Sequence, residues 1–139
     1  MLTDDFASPP PDHLENLLSG NFKPIAALLE GLDDQYRRIH KFDLGKILHL
    51  FMLGVAPDFG GKGIARMLVQ QTLENGRSRG YERALTEATG KVSQHIFRSQ
   101  GFVERFRIVY KEFLHEGKRP FGTISDHEAV ILLERDGLS

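Results

Sequence analysis

Three glycines and a lysine stand together in "DFGGKGIARM": Gly60, Gly61, Lys62 and Gly63, followed at once by Ile64 and Ala65. An apolar run precedes the cluster, and apolar residues at helical spacing follow it. A strand, a tight turn and a helix start in that order aim several backbone N–H groups at one point. The first amides of a helix have no internal acceptor, and the helix dipole adds partial positive charge there. Glycine permits positive φ and lets an anion approach the main chain, so the chemistry on offer is phosphate binding. Spacing sorts the possibilities. A Walker loop needs a glycine five residues before Gly61, where Ala56 stands, and Ser or Thr after the lysine, where Gly63 stands. A dinucleotide turn starting at Gly61 and Gly63 needs a third glycine, and Arg66 occupies that position. A plain turn between strand and helix remains the alternative.

Other chemistries are narrowed by composition. The chain has no cysteine, which excludes disulfides, thiolate metal sites and a cysteine nucleophile. Its six histidines include no H-E-x-x-H and no close pair on one face, so no metal is expected. A formal net charge of −1 with both signs interspersed gives no footprint for nucleic acid or an anionic membrane. The longest apolar stretch, "ILHLFMLGVA", is too short to span a bilayer, and "MLTDDFASPPPD" lacks the basic and apolar regions of a signal peptide. A soluble protein of the reducing cytoplasm is the expectation.

The elements that must position the glycine loop follow from periodicity. Residues 1–20, with Pro9, Pro10 and Pro11, read as an irregular lead-in, and 21–139 as one domain. Phe22, Ile25, Leu29, Leu32, Tyr36 and Ile39 line one face of a helix, with Pro24 in its first turn and a possible break at Gly31. "KILHLFMLGVAP" is nearly continuous in apolar residues, as a strand buried on both faces would be. Ile64, Ala65, Met67, Leu68, Val69, Thr72 and Leu73 form a second helix, ended by Gly76 and Gly80. "YERALTEAT" predicts a partly covered strand, "KVSQHIFRSQ" a short helix stopped by Gly101, and "FVERFRIVYKEF" and "HEAVILLE" two strands joined by "HEGKRPFG". The order α-β-α-β-α-β-β predicts a layered α/β fold with a mixed sheet.

The pattern V-x-P-x-x-x-G-x-G-I-A, on that strand and helix, resembles the acyl-CoA signature of the GNAT superfamily of N-acetyltransferases. "EATGKVSQHIFRSQGF" is similar to the next strand and helix of that fold, ending in its Gly-Phe, here Gly101 and Phe102. "TGKVSQ", "YKEF", "PFGTISDH" and "LLERD" resemble the arylalkylamine (dopamine-type) branch. The resemblance covers about residues 20–136 and implies a three-layer GNAT-like fold. Amides from Gly60 through Gly61, Lys62, Gly63 and Ile64 to Ala65 would hold the CoA pyrophosphate, with Lys62 either adding charge or simply solvated. The strand end at Leu53, Gly54 and Val55 would pair with the pantetheine arm, and an amide there would polarise the acetyl carbonyl.

The chain departs from the family pattern in three places. Gly60 stands where Arg or Gln is usual. Phe97 lies at the cofactor-side position where many members carry a tyrosine that protonates the leaving thiolate. One helical turn earlier, Ser93 resembles a serine of the arylalkylamine branch, and is read either as a hydrogen-bond partner of the sulfur or as a helix-end serine bonding its own backbone. The third departure is length: the family fold opens with elements of which residues 1–11 supply only the tail. The resemblance therefore implies an N-terminally truncated form, with its apolar edge strand completed by a homodimer partner or other chain, or else a fragment or degenerate paralogue. A catalytic glutamate of the branch falls in that part and maps to no residue here.

Acetylating an amine requires a proton acceptor. His49 on the CoA-binding strand and Glu87 on its expected neighbour are the candidates; a histidine in that place is more often a satisfied core or sheet-face residue, and Glu87 is likewise readable in a sheet-face or ion-pair role. The expected function is direct transfer of acetyl from acetyl-CoA to a primary amine of a small molecule. A non-catalytic acyl-CoA-binding protein lacking its amine site is the alternative, and a nucleotide- or phosphate-binding module is a third reading.

Overall fold

The computed structural model describes residues 2–6, 23–40, 45–51, 63–125 and 127–138. Its elements run β1 (Leu2–Asp5), α1 (Lys23–Ile39), β2 (Ile47–Phe51), α2 (Ile64–Ser78), β3 (Arg83–Ala88), α3 (Lys91–Ser99), β4 (Val103–Val109), a 3-10 turn (Tyr110–Glu112) and β5 (Ala129–Arg135). The strands form one sheet in the order β1-β2-β3-β5-β4. β2 and β3 are parallel, joined by α2 as crossover, and the other pairs are antiparallel. This is the mixed α/β sheet that the sequence pattern predicts.

Side chains alternate across the sheet and divide the core in two. On one face Leu48, Leu50, Ala84, Ala88, Ile131 and Leu133 pack against α2 and α3 through Val69, Leu73 and Phe97. On the other, Ile47, Leu85, Val130 and Leu132 pack against α1 through Leu28, Leu32 and Tyr36. α1 runs unbroken through Gly31, where an added Cβ would lie 3.6 Å from Ile108, so the glycine is a close-packing position and no break occurs. The buried stripe of α1 is Leu28–Leu32–Tyr36, and Ile39, expected on that face, is 66% exposed past the end of the sheet contact. Gly76 is buried where α2 crosses β2; a Cβ there would come within 2.7 Å of Leu48 Cδ2.

Three expectations are corrected. Residues 2–5, assigned to an irregular lead-in, form β1 and pair antiparallel with β2, from Leu2 opposite Phe51 to Asp5 opposite Leu48. β2 is therefore an inner strand, and an open β2 edge no longer argues for a partner chain. β3, expected to be partly covered, is buried along all but its first residue, because α1 and the α2–α3 layer cover both of its faces. The strand expected to reach Phe113 ends at Val109 and turns through the 3-10 segment, where the Tyr110 hydroxyl donates to Thr89 O at 2.6 Å. No described helix is long and apolar enough to cross a membrane.

Candidate functional site

The parallel pair β2–β3 defines the place where chemistry is expected, because ligands of open α/β sheets settle at the carboxyl ends of parallel strands. Register sets Leu48 beside Ala84, His49 beside Leu85 and Leu50 beside Thr86, and the Thr86 hydroxyl donates to Leu50 O at 2.9 Å across the pair. His49 and Glu87 both fall on the α1 face, two rungs apart. Their side chains meet there: His49 Nε2 lies 2.6 Å from Glu87 Oε2, with side chains only 10% and 7% exposed. Phe6, 3% exposed, sets its ring edge-on to His49 at 5.6 Å and to Tyr36 at 5.9 Å, with the Arg37 guanidinium 4.4 Å above it.

A third group joins this pair. Asp33 of α1 brings a carboxylate oxygen into the same cluster; one ligand atom from each of Asp33, His49 and Glu87 lies within 4.8 Å of the others. Asp33 Oδ1 and Glu87 Oε1 are buried without a hydrogen-bond donor among the described residues. Two carboxyl groups this close and this buried cannot both stay charged, and a proton on one supplies the missing donor. Burial above all, then the hydrogen bond and charge of Glu87, push Asp33 up to about 9 against the pull of His49 and Arg37. Burial opposes ionisation of Glu87, yet hydrogen bonds from Asp33 and His49 outweigh it and hold Glu87 below the usual carboxylate range. At neutral pH Asp33 is therefore held as a carboxylic acid and Glu87 as a carboxylate, both in contact with the His49 ring.

The glycine loop is described only at its end. Gly63 precedes α2 with φ 76°, the left-handed conformation glycine favours, and is exposed. Ile64 and Ala65 are half-buried in the first turn, and the first intrahelical bond runs from Met67 N to Gly63 O. No acidic side chain lies in that turn, and Arg66 reaches His95 at 3.4 Å. Helix-start amides, a left-handed glycine and no acid in the first turn fit a phosphate group. Leu53, Gly54, Val55, Gly60, Gly61 and Lys62 lie outside the described residues.

The remaining candidates lie on the other side of the sheet. Ser93 is 3% exposed on α3; its hydroxyl donates to Gly90 O at 3.0 Å and accepts from Gly90 N at 3.3 Å, the helix-end bonding of its second reading. Phe97 is 1% exposed and meets Phe102 edge-on at 5.1 Å as a core residue. Beside them His127, not itself a candidate, accepts from Lys91 N at 3.2 Å and packs on Gly90, where a Cβ would lie 3.1 Å from its ring. The structure thus unites His49 with Glu87 and leaves Ser93 apart. It adds Asp33, which the sequence reading missed; the signal was an acid directly after Leu32, beside the buried stripe of α1.

With this geometry in place, comparison with known proteins assigns the class. The model of the acetyltransferase (GNAT) family matches residues 25–102, more than half of the chain, and the chain belongs to that family. Arylalkylamine N-acetyltransferase 2 from Aedes aegypti is similar at 26% identity and TM-score 0.75, over 96% of this chain and 64% of that one. Polyamine N-acetyltransferase of Drosophila melanogaster, an enzyme that forms N-acetylagmatine, is similar at 20% identity and TM-score 0.76, over 96% and 66%. The C-terminal condensation domain of Ebony, solved with β-alanyl-dopamine, is similar at 23% identity and TM-score 0.83, over 97% and 64%. The last two, at low identity, speak for the fold alone. This chain spans 64–66% of the length of these neighbours. They include the arylalkylamine branch that the sequence resembles.

Proposed function

We propose that the chain acts in direct transfer of acetyl from acetyl-CoA to a primary amine of a small molecule. The observation that carries this reading is the buried His49–Glu87 pair near the carboxyl ends of β2 and β3, in a member of the acetyltransferase family. Acetyl-CoA, as cosubstrate, supplies the activated acetyl group. The stretch Gly60–Ala65 would hold its pyrophosphate by main-chain amides, and Leu53 to Val55 would pair with its pantetheine arm. The amine nitrogen forms its bond to the carbonyl carbon as the carbon–sulfur bond breaks, and the amine's surplus proton must leave. His49 is the acceptor in this reading, and the Glu87 carboxylate against its ring stabilises the imidazolium that forms. The thiolate leaves with the electron pair and is protonated from water.

A second reading, acyl-CoA binding without catalysis, is favoured by the engagement of Ser93 with Gly90 and by Phe97 in the core, since neither offers a proton to the thiolate. Calorimetry with acetyl-CoA, CoA and ATP tests cofactor choice; ATP binding more tightly than acetyl-CoA sinks both readings. A free-thiol assay over a panel of arylalkylamines and polyamines then separates them. Amine-dependent CoA release that falls about 100-fold or more in His49→Gln supports catalysis. CoA binding without such release leaves the binding protein.

A further inference from the structure

Asp33, His49 and Glu87 bring three metal-type donors together where a His–Glu pair needs two. One ligand atom from each lies within 4.8 Å of the others. Glu87 turns Oε2 to His49 Nε2, while its Oε1 is buried without a hydrogen-bond partner among the described residues, on a side chain only 7% exposed. Asp33 Oδ1, facing it from α1, is in the same state. The surroundings add little positive charge. β1 brings Asp4, another acid, into backbone register with His49. The β4 and β5 side chains packed against α1 are apolar: Phe106, Ile108, Val130 and Leu132. Arg37, the arginine acting on Asp33, is 44% exposed. A dication neutralises both buried carboxylates at once, where a proton neutralises one.

We propose that Asp33, His49 and Glu87 bind a divalent transition-metal ion of the Zn²⁺ class between α1 and the sheet. One imidazole nitrogen with two carboxylates is a zinc-type donor set and leaves a fourth position for water. Zinc bonds of about 2.0–2.2 Å place tetrahedral ligand atoms about 3.4 Å apart. The present separations, from 2.6 Å between His49 and Glu87 to at most 4.8 Å, bracket that value, so small side-chain rotations form the site. His49 has a further interaction besides these, and the site asks nothing of its other nitrogen. The ion takes Nε2, the atom already turned to Glu87, and a ring held by other contacts is the usual state of a metal-bound histidine. Ligands shed their protons to bind, so the ion displaces the hydrogen between His49 and Glu87 and releases it to solvent. Positions 33, 49 and 87 carry no ligand spacing, which is why the sequence pattern predicts no metal. An unbroken α1 and the parallel β2–β3 register assemble the set instead. The site goes beyond the acetyl-transfer reading and does not rest on it.

The test is calorimetry of the full chain, stripped of metal by chelation, with Zn²⁺ at pH 7. Wild type binds one ion per chain. Asp33→Asn and Glu87→Gln keep the size of each side chain but lose a charged ligand, and each weakens binding at least about 100-fold, beyond what loss of an outer-shell partner does. His95→Ala, which removes an exposed imidazole outside the cluster, binds as wild type does. Co²⁺ in place of Zn²⁺ gives wild type the strong visible absorption of a four-coordinate ion. Wild type without saturable Zn²⁺ binding would overturn the proposal. So would binding that is unchanged in Asp33→Asn and Glu87→Gln, or binding that His95→Ala abolishes. Circular dichroism shows whether the variants fold; if they do not, the wild-type cobalt spectrum decides, and the weak absorption of a six-coordinate, water-rich ion overturns the site. None of these readouts uses acetyl transfer, so failure of that reading leaves the metal site standing or falling by itself.

Discussion

Two buried glutamates lie on the same face of the sheet, under the same helix, and they are held in opposite ways. Glu134 of β5 is 2% exposed; the Tyr36 hydroxyl donates to it, Arg105 donates through Nε at 3.0 Å with Nη2 ion-paired at 3.0 Å, and Arg83 stands 4.0 Å away. Both arginines reach solvent, at 42% and 37% side-chain exposure, so the charge is neutralised by cations that are themselves hydrated. Glu87 of β3 is 8% exposed and meets a histidine and a second acid. Its compensating charge comes and goes with a proton. Permanent cations make an anchor, whereas titratable neighbours make a site that can hold a proton in more than one place.

The contrast can be broken first at its structural end. Glu134→Ala leaves Tyr36 and two arginines facing a hole, and should cost about 3 kcal/mol in urea denaturation, the low end for a broken buried pair because the arginines reach water. A loss below about 1 kcal/mol would show that Glu134 anchors nothing. Tyr36→Phe removes one hydrogen bond to a charged acceptor and should cost about 2 kcal/mol. In the intact protein, alkaline absorbance titration should find one tyrosine ionising only near pH 12, because burial, then the bond to Glu134, push Tyr36 up to about 12.

The Glu87 end responds to pH instead. Folding lifts Asp33 from its ordinary 3.8 to about 9, so across that window the folded chain binds a proton that the unfolded chain has lost. The Asp33 contribution therefore makes stability fall as pH rises, by up to about 1.4 kcal/mol per pH unit. Asp33→Asn should flatten the stability curve between pH 5 and 9 and become the more stable form at pH 8. Parallel curves for the two proteins would mean that Asp33 is charged in the folded state. Glu87 runs the other way: its lowered value contributes stability above about pH 4.5 that is lost as pH falls through the folded value. Glu87→Gln, which keeps an acceptor for His49 and a donor for Asp33, should cost the least, about 1 kcal/mol at pH 7. A cost equal to that of Glu134→Ala would erase the distinction.

Much of the scaffold is legible in the sequence, because period and punctuation report local geometry. The α1 spacing, the continuous apolar run of β2 and the glycines at 80 and 101, both with positive φ, mark elements where they occur. β1 escaped because four residues, "LTDD", carry no period, and only its pairing with β2 makes it a strand. The site is legible by residue type alone. His49 and Glu87 stand out on adjacent strands, but their contact depends on parallel register across the α2 crossover. Asp33 sits beside the apolar stripe, where a polar residue reads as solvated; its burial comes from the sheet beneath it. Glu134 and Tyr36 are 98 positions apart, and nothing local links them.

Phe6 ties these centres together. Its ring closes over His49 and Tyr36 at once, capped by the Arg37 guanidinium, while its amide bonds Ile47 O at 3.0 Å. In electrical terms it is the insulation between two circuits. By covering His49 and Tyr36 it shields the partners of both glutamates from water, and a drier surrounding strengthens the hydrogen bonds they make. The short segment that pairs with β2 and ends in this ring thus joins the sheet to the side chains that hold both glutamates.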